Sequence, residues 1–289
     1  MKLLRFESGG GVRIGVLEGG TIYDLSAAGP RFSDWARVYE DAGSPEALVA
    51  SVERAKGASR KVPYDYKALR APFVPSEIWA AGVTYLRSRE ARETETKLKG
   101  LYDYVYSAVR PELFLKDSGL RCVGPGDPVC VRADSRWSVP EPELSVVLDG
   151  AFRVVGYTVG NDVSSRDIEG ENPLYLPQAK VYRGSSAIGP VVTTADEVPE
   201  PRSLEIGMRI LRGAEPVFEG RVNTSQLKRS VDELVGYLRR SNLVRTFTVL
   251  MTGTSLVPPD DFTLRGGDVV EIEIDKIGTL RNPVEQLRA

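Results

Sequence analysis

The chain has 289 residues, 42% hydrophobic and 27% charged, with 38 Lys and Arg set against 40 Asp and Glu and no His. That length accommodates one large domain and a small one, and a near-neutral balance without long blocks of one sign leaves no footprint for nucleic acid or an anionic membrane. The missing histidine excludes Ser-His-Asp and Cys-His catalysis and histidine-held zinc or iron, so a metal would be held by oxygen, which means Mg²⁺, Mn²⁺ or Ca²⁺.

The N-terminal MKLLRFESGGG turns polar too soon for a signal peptide. No apolar run approaches the roughly 20 residues of a membrane span, so a cytoplasmic protein is expected. Leu3 to Phe6, Val12 to Leu17 and Thr21 to Leu25 alternate as strands, with Gly19-Gly20 turning the last pair. Phe32, Trp35, Ala36 and Tyr39 recur at helical spacing, and a second helix starts at Pro45. Pro63, Pro72 and Pro75 mark a linker, which predicts a small N-terminal α/β domain over residues 1–72 and a second domain over 73–289.

Ile78 to Ala81 reads as a buried strand, followed by one long helix from Tyr85 to about Arg110, stopped by Pro111. Its first half, RSREARETETKLK, is charged almost throughout and reads as a solvated face, while Leu98, Tyr102, Val105 and Val109 form an apolar stripe. Leu113 to Lys116 is a short strand.

Next comes the stretch Trp137 to Asp162. Pro140 and Pro142 push the residues before them into extended geometry, and a period of two aims Glu141 and Glu143 to one side. Leu144 to Leu148 and Val154 to Val159 are β-branched runs split by Asp149-Gly150, so they pair antiparallel and bring Asp162 back beside Glu141. Three close carboxylates raise one another's pKa unless a cation sits between them, and a divalent metal is the economical occupant.

Ser164 to Leu176 reads as irregular, with Lys180 following in the otherwise uncharged LPQAKVY. Gly189 to Thr193, Leu204 to Leu211, Phe247 to Met251 and Val269 to Ile274 are strands, and Gln226 to Arg240 is an amphipathic helix. This strand-rich, non-alternating order predicts an α+β fold rather than a Rossmann or TIM arrangement.

Glu141-x-Glu143, Asp162 within GNDVSSRD, Lys180, Gly189-Pro190 and Thr252-Gly253-Thr254 are similar in order and spacing to the fumarylacetoacetate hydrolase superfamily, over roughly residues 75 to 285. The resemblance implies a mixed β-roll catalytic domain with Mg²⁺ on Glu141, Glu143 and Asp162, a small 2-oxo sugar acid as partner, and a homo-oligomer (dimer or tetramer). It also implies dehydration of a 2-keto-3-deoxy sugar acid in pentose catabolism, 2-keto-3-deoxy-D-arabinonate to 2,5-dioxopentanoate being the leading case. Hydrolases and decarboxylases of the superfamily carry a His and a Glu that activate water; here Ser88 stands where that His would, which favours water loss over water attack. An acylpyruvate hydrolase or 2-oxo acid decarboxylase is the alternative, and a non-catalytic 2-oxo acid binding protein the second. Lys180 and Glu112 are expected to carry the proton transfers, a buried carboxylic acid or a lysine of lowered pKa being suited to it. Thr84, Tyr85, Lys116 and Thr254 are the substrate-binding candidates, with helix capping as the competing role of Thr84.

Overall fold

The two β-branched runs of the central stretch form strands Pro142–Leu148 and Val154–Asp162, every position of the first buried. A strand covered on both faces needs a wide sheet. In the computed structural model, which describes residues 1–95 and 99–288, these two strands sit inside a 12-stranded sheet. Its path runs from Arg60–Pro63 through Thr21–Asp24, Gly11–Glu18, Lys2–Ser8 and Ser186–Thr194 to Val154–Asp162 and Pro142–Leu148. It then continues through Thr248–Met251 and Ile78–Gly82 to Glu112–Asp117. A five-stranded sheet, from Glu215–Asn223 through Glu205–Arg212, Asp268–Ile274 and Gly278–Gln286 to Val129–Val131, packs against it. Val146, Leu148 and Val159 meet Ile206, Met208 and Ile272 in the shared core. The fold is α+β, as expected.

The first strands join the same sheet: Lys2 lies opposite Thr193 and Leu3 opposite Val192. Their two helices, Trp35–Ala42 capped by Asp34 and Pro45–Lys56 capped by Ser44, lay Trp35, Val38, Leu48 and Val52 on a core that includes Ile78, Val147 and Ile188. Among the described residues no helix is long and apolar enough to cross a membrane.

Three expected elements differ. The single helix from Tyr85 to Arg110 is two, Leu86–Glu95 and Leu101–Ser107, the second entered through Gly100 at φ +82°. The Glu93 carboxylate accepts the Tyr102 N–H at 3.2 Å, folding one piece onto the other. The expected stripe does not form one face: Tyr102 is buried, Val105 half-buried and Val109 84% exposed, while Leu98 lies outside the described residues. The region from Ser164 to Leu176 is partly helical, with Arg166–Glu171 a helix and Leu176–Lys180 another, because Arg166 must curl inward to reach a buried carboxylate. The later helix is Val231–Arg239 rather than Gln226 to Arg240, since Ser230 caps it by accepting the Glu233 N–H at 3.1 Å.

Candidate active site

Antiparallel pairing sets Pro142 opposite Asn161 and Glu143 opposite Gly160, so the end of one strand returns to the start of the other. The Asp162 N–H donates to the Glu141 carbonyl at 2.9 Å, and the Asn161 side-chain oxygen accepts the Glu141 N–H at 3.2 Å. Glu141, Glu143 and Asp162 are all buried, and one carboxylate oxygen from each lies within 4.8 Å of the other two. Oxygens bound to one Mg²⁺ at about 2.0–2.1 Å stand roughly 3 Å apart when adjacent and 4 Å when opposite. The all-carboxylate donor set therefore fits an oxygen-ligated divalent ion, the oxygens closing by up to roughly 1 Å around one as small as Mg²⁺.

Cations already crowd this point. The Lys180 ammonium donates to Glu141 Oε2 at 2.8 Å, Asp162 Oδ2 at 3.0 Å and Ser164 Oγ at 2.6 Å. Lys116 sits 2.8 Å from the other Asp162 oxygen and donates to the carbonyls of Val163 and Lys180. Arg166 and Arg92 converge on Glu141 Oε1 at 2.9 and 3.0 Å, and Arg92 also pairs with Glu169.

This arrangement splits the two glutamates. Burial alone would raise Glu141, but the charges of Lys180, Arg166 and Arg92 outweigh it and hold the carboxyl well below its ordinary value. At Glu143, burial and then the charges of Asp162 and Glu141 push the carboxyl well above its ordinary value, against the charge of Lys180 and the Gly253 N–H donated at 2.5 Å. The expected lysine of lowered pKa is not Lys180, where Asp162, Glu141 and Glu169 outweigh burial and raise it. It is Lys116, where burial wins over Asp162.

A cavity of about 20 Å³ opens onto the carboxylates, lined also by Ser88, Arg92, Tyr102, Glu112, Phe114, Glu169, Lys180 and Thr254. That holds about one water, so a five-carbon acid enters only if a wall such as the Arg92 helix moves. Glu112 is half-buried with its carboxyl over Gly82, where a Cβ would collide with it, and burial followed by the charge of Glu169 raises its pKa.

Lys180, Glu112 and Thr254 thus share the cavity with the three carboxylates, whereas Lys116, Thr84 and Tyr85 do not line it. Lys116 is fully buried behind Asp162. The Thr84 hydroxyl is turned instead to the Thr252 carbonyl, to which it donates at 2.7 Å. Tyr85 is buried with a hydroxyl lacking a partner among the described residues, and burial followed by the Glu143 charge raises its pKa. Sequence reasoning missed Arg92, Arg166, Glu169 and Tyr102. Arg166 stood within GNDVSSRD and could have been weighed there, but Arg92 is hidden in a run that is charged almost throughout.

Gly253 has φ +95°, and a Cβ on it would fall on the Thr84 hydroxyl. Gly253→Ala is expected to cost about 2 kcal/mol or more, from left-handed strain and the displaced Thr84 bond. It should also weaken divalent-cation binding by shifting the N–H that holds Glu143. Thermal denaturation and calorimetric titration read both, and a variant unchanged in each would contradict this account.

A family model described as Fumarylacetoacetate (FAA) hydrolase C-terminal matches residues 78–285, and one described as Rv2993c-like, N-terminal matches 1–40. A probable 2-keto-3-deoxyxylonate dehydratase of Haloferax volcanii is 49% identical over 268 residues, 91% of this chain and 92% of that one. The 2-dehydro-3-deoxy-D-arabinonate dehydratase of Saccharolobus solfataricus is 48% identical over 221 residues, 75% of this chain and 74% of that one. A solved 2-keto-3-deoxy-D-arabinonate dehydratase complexed with magnesium and 2,5-dioxopentanoate superposes with a TM-score of 0.84 at 39% identity, over 100% of both chains.

Proposed function

The chain belongs to the fumarylacetoacetate hydrolase family, and from that premise we propose that it is a hydro-lyase converting 2-keto-3-deoxy-D-arabinonate to 2,5-dioxopentanoate and water, with Mg²⁺ on Glu141, Glu143 and Asp162. The observation that carries this reading is the buried carboxylate triad sharing one cavity with Lys180 and Glu112, in a chain nearly half identical to proteins named as dehydratases of such acids. For the D series, the xylonate and arabinonate names converge on one compound. A 2-oxo group and a 3-deoxy carbon erase the stereocentres at C2 and C3, and the two D-pentonates share their configuration at C4.

When bound, Mg²⁺ polarises the 2-oxo group and so acidifies C3. The proton at C3 is assigned to Lys180, which lines the cavity: a divalent ion on Glu141 and Asp162 would take up the two charges that raise this lysine and leave burial, which lowers it. Glu112, whose pKa is raised by burial and then by the charge of Glu169, is assigned to the departing C4 hydroxyl. Thr254 lines the same cavity and is assigned to bind the acid. Carbon-carbon hydrolysis finds no imidazole to activate water: Ser88 faces the cavity, and the chain holds no His.

Incubation with the sugar acid and Mg²⁺ should produce an aldehyde resonance by NMR, and full activity after EDTA treatment would overturn the metal role. Glu112→Gln is expected to slow water loss by roughly 10²–10⁴-fold while C3 still exchanges with D₂O. In Lys180→Met both should be lost. Loss of exchange in Glu112→Gln and its survival in Lys180→Met would reverse the two assignments.

A further inference from the structure

Water loss is only half of the proposed reaction. Removal of the C3 proton and the C4 hydroxyl leaves 5-hydroxy-2-oxopent-3-enoate, in which C5 is still an alcohol. To reach 2,5-dioxopentanoate, a C5 proton must leave and C3 must gain one, which moves the double bond to C4=C5 as an enol. C4 then gains a proton as the enol O–H loses one. No oxidant is needed and the formula does not change, but a base must stand at the C5 end.

Glu169 is a buried carboxylate on the helix Arg166–Glu171 that lines the same cavity as Glu112 and Lys180. It pairs with Arg92 of the facing helix, one of the cations that also reach Glu141. Glu112 and Glu169 line one small cavity, and the charge of Glu169 is, after burial, the foremost influence raising Glu112. With Glu112 serving the C4 hydroxyl, Glu169 is the neighbouring carboxylate for the next carbon.

We propose that Glu169 is the catalytic base of the second half-reaction, taking the C5 proton of the unsaturated intermediate; this rests on the proposed dehydration. Once water has left, Glu169 accepts a C5 proton while the electrons of that C–H bond form C4=C5 and the former C3=C4 pair takes a proton at C3. The carboxyl of Glu169 then returns its proton to solvent or to C4.

The test is stopped-flow spectroscopy of the Mg²⁺-loaded enzyme with 2-keto-3-deoxy-D-arabinonate, following the near-ultraviolet absorbance of the conjugated 2-oxo-3-enoate, alongside NMR of the aldehyde. Glu169→Gln should form the absorbing intermediate within about 10-fold of the wild-type rate and release aldehyde at least about 100-fold more slowly. With substrate deuterated at C5, the slow phase should show a primary isotope effect in the more conservative Glu169→Asp, which keeps a carboxylate. If Glu169 merely anchored Arg92, then Glu169→Gln and Arg92→Gln would slow both phases together and no intermediate would build up; that result overturns the inference. Wild-type rates of aldehyde release in Glu169→Gln would overturn it too, while leaving the dehydratase reading intact. A wild type that makes no aldehyde would overturn the dehydratase reading itself, and this inference with it.

Discussion

Glu143→Gln is expected to give a protein that is more stable than the wild type in EDTA and inactive in Mg²⁺. Buried Glu143 faces the charges of Asp162 and Glu141, and burial together with those charges raises its pKa. The amide keeps an oxygen to accept the Gly253 N–H, now at 2.5 Å from the carboxylate, and turns its NH₂ towards the other two carboxylates. Because the folded value lies above the unfolded one, folding takes up a proton between them. The resulting stability is complete below about 4.5 and is lost as pH rises through the folded value, so the variant's advantage should widen towards alkaline pH. Mg²⁺ reverses the order. A ligand bound only by the folded state adds about 2.7 kcal/mol at 100 times its Kd, a melting shift of roughly 2 °C or slightly more per kcal/mol in a chain of this size. The wild type should gain this and the variant nothing. Melting curves at pH 6 and 8, with EDTA or Mg²⁺, decide it. Equal Mg²⁺ stabilisation of both proteins would remove Glu143 from the ligand set.

The same three carboxylates show what could be read from sequence. Glu141, Glu143 and Asp162 were legible because strand periodicity and proline geometry are local, and a two-residue turn fixes where the partner strand returns. The absence of His was equally plain and limited the chemistry at once. Arg92, Arg166 and Glu169 were not legible, because their burial comes from contacts between elements far apart in the chain: Arg92 reaches Glu141 across 49 residues. A charged run such as RSREARETE has the composition of a solvated helix, and nothing local marks the single arginine that turns inward. The extent of the sheet was hidden for the same reason. That Leu3 pairs with Val192 is a tertiary outcome, invisible to turn and period signals. Local rules found the three carboxylates; the cations that surround them required the packed structure.

Glu141→Gln, the same chemical change two residues earlier, should do the opposite to stability and is expected to be the most damaging of the three carboxylate-to-amide variants. Glu141 receives Lys180 on one oxygen, and Arg92 and Arg166 on the other. An amide offers one acceptor oxygen, so whichever way it turns its NH₂ meets a cationic donor, and three buried cations lose their shared counter-charge. Breaking a buried ion pair from one side costs about 3–5 kcal/mol, which corresponds to a melting decrease on the order of 10 °C. The pH signature has the reverse sign to that of Glu143. Lys180, Arg166 and Arg92 overcome burial and depress the Glu141 pKa, so its contribution is present above about 4.5 and is lost as pH falls through the folded value. The wild type should therefore lose stability on acidification below that point, and Glu141→Gln should show a flatter acid limb from a lower plateau. Melting curves between pH 3 and 8 in EDTA test this without reference to activity. Wild-type stability in Glu141→Gln would mean that its three cations are satisfied elsewhere, and the electrostatic account of the site would fall with it.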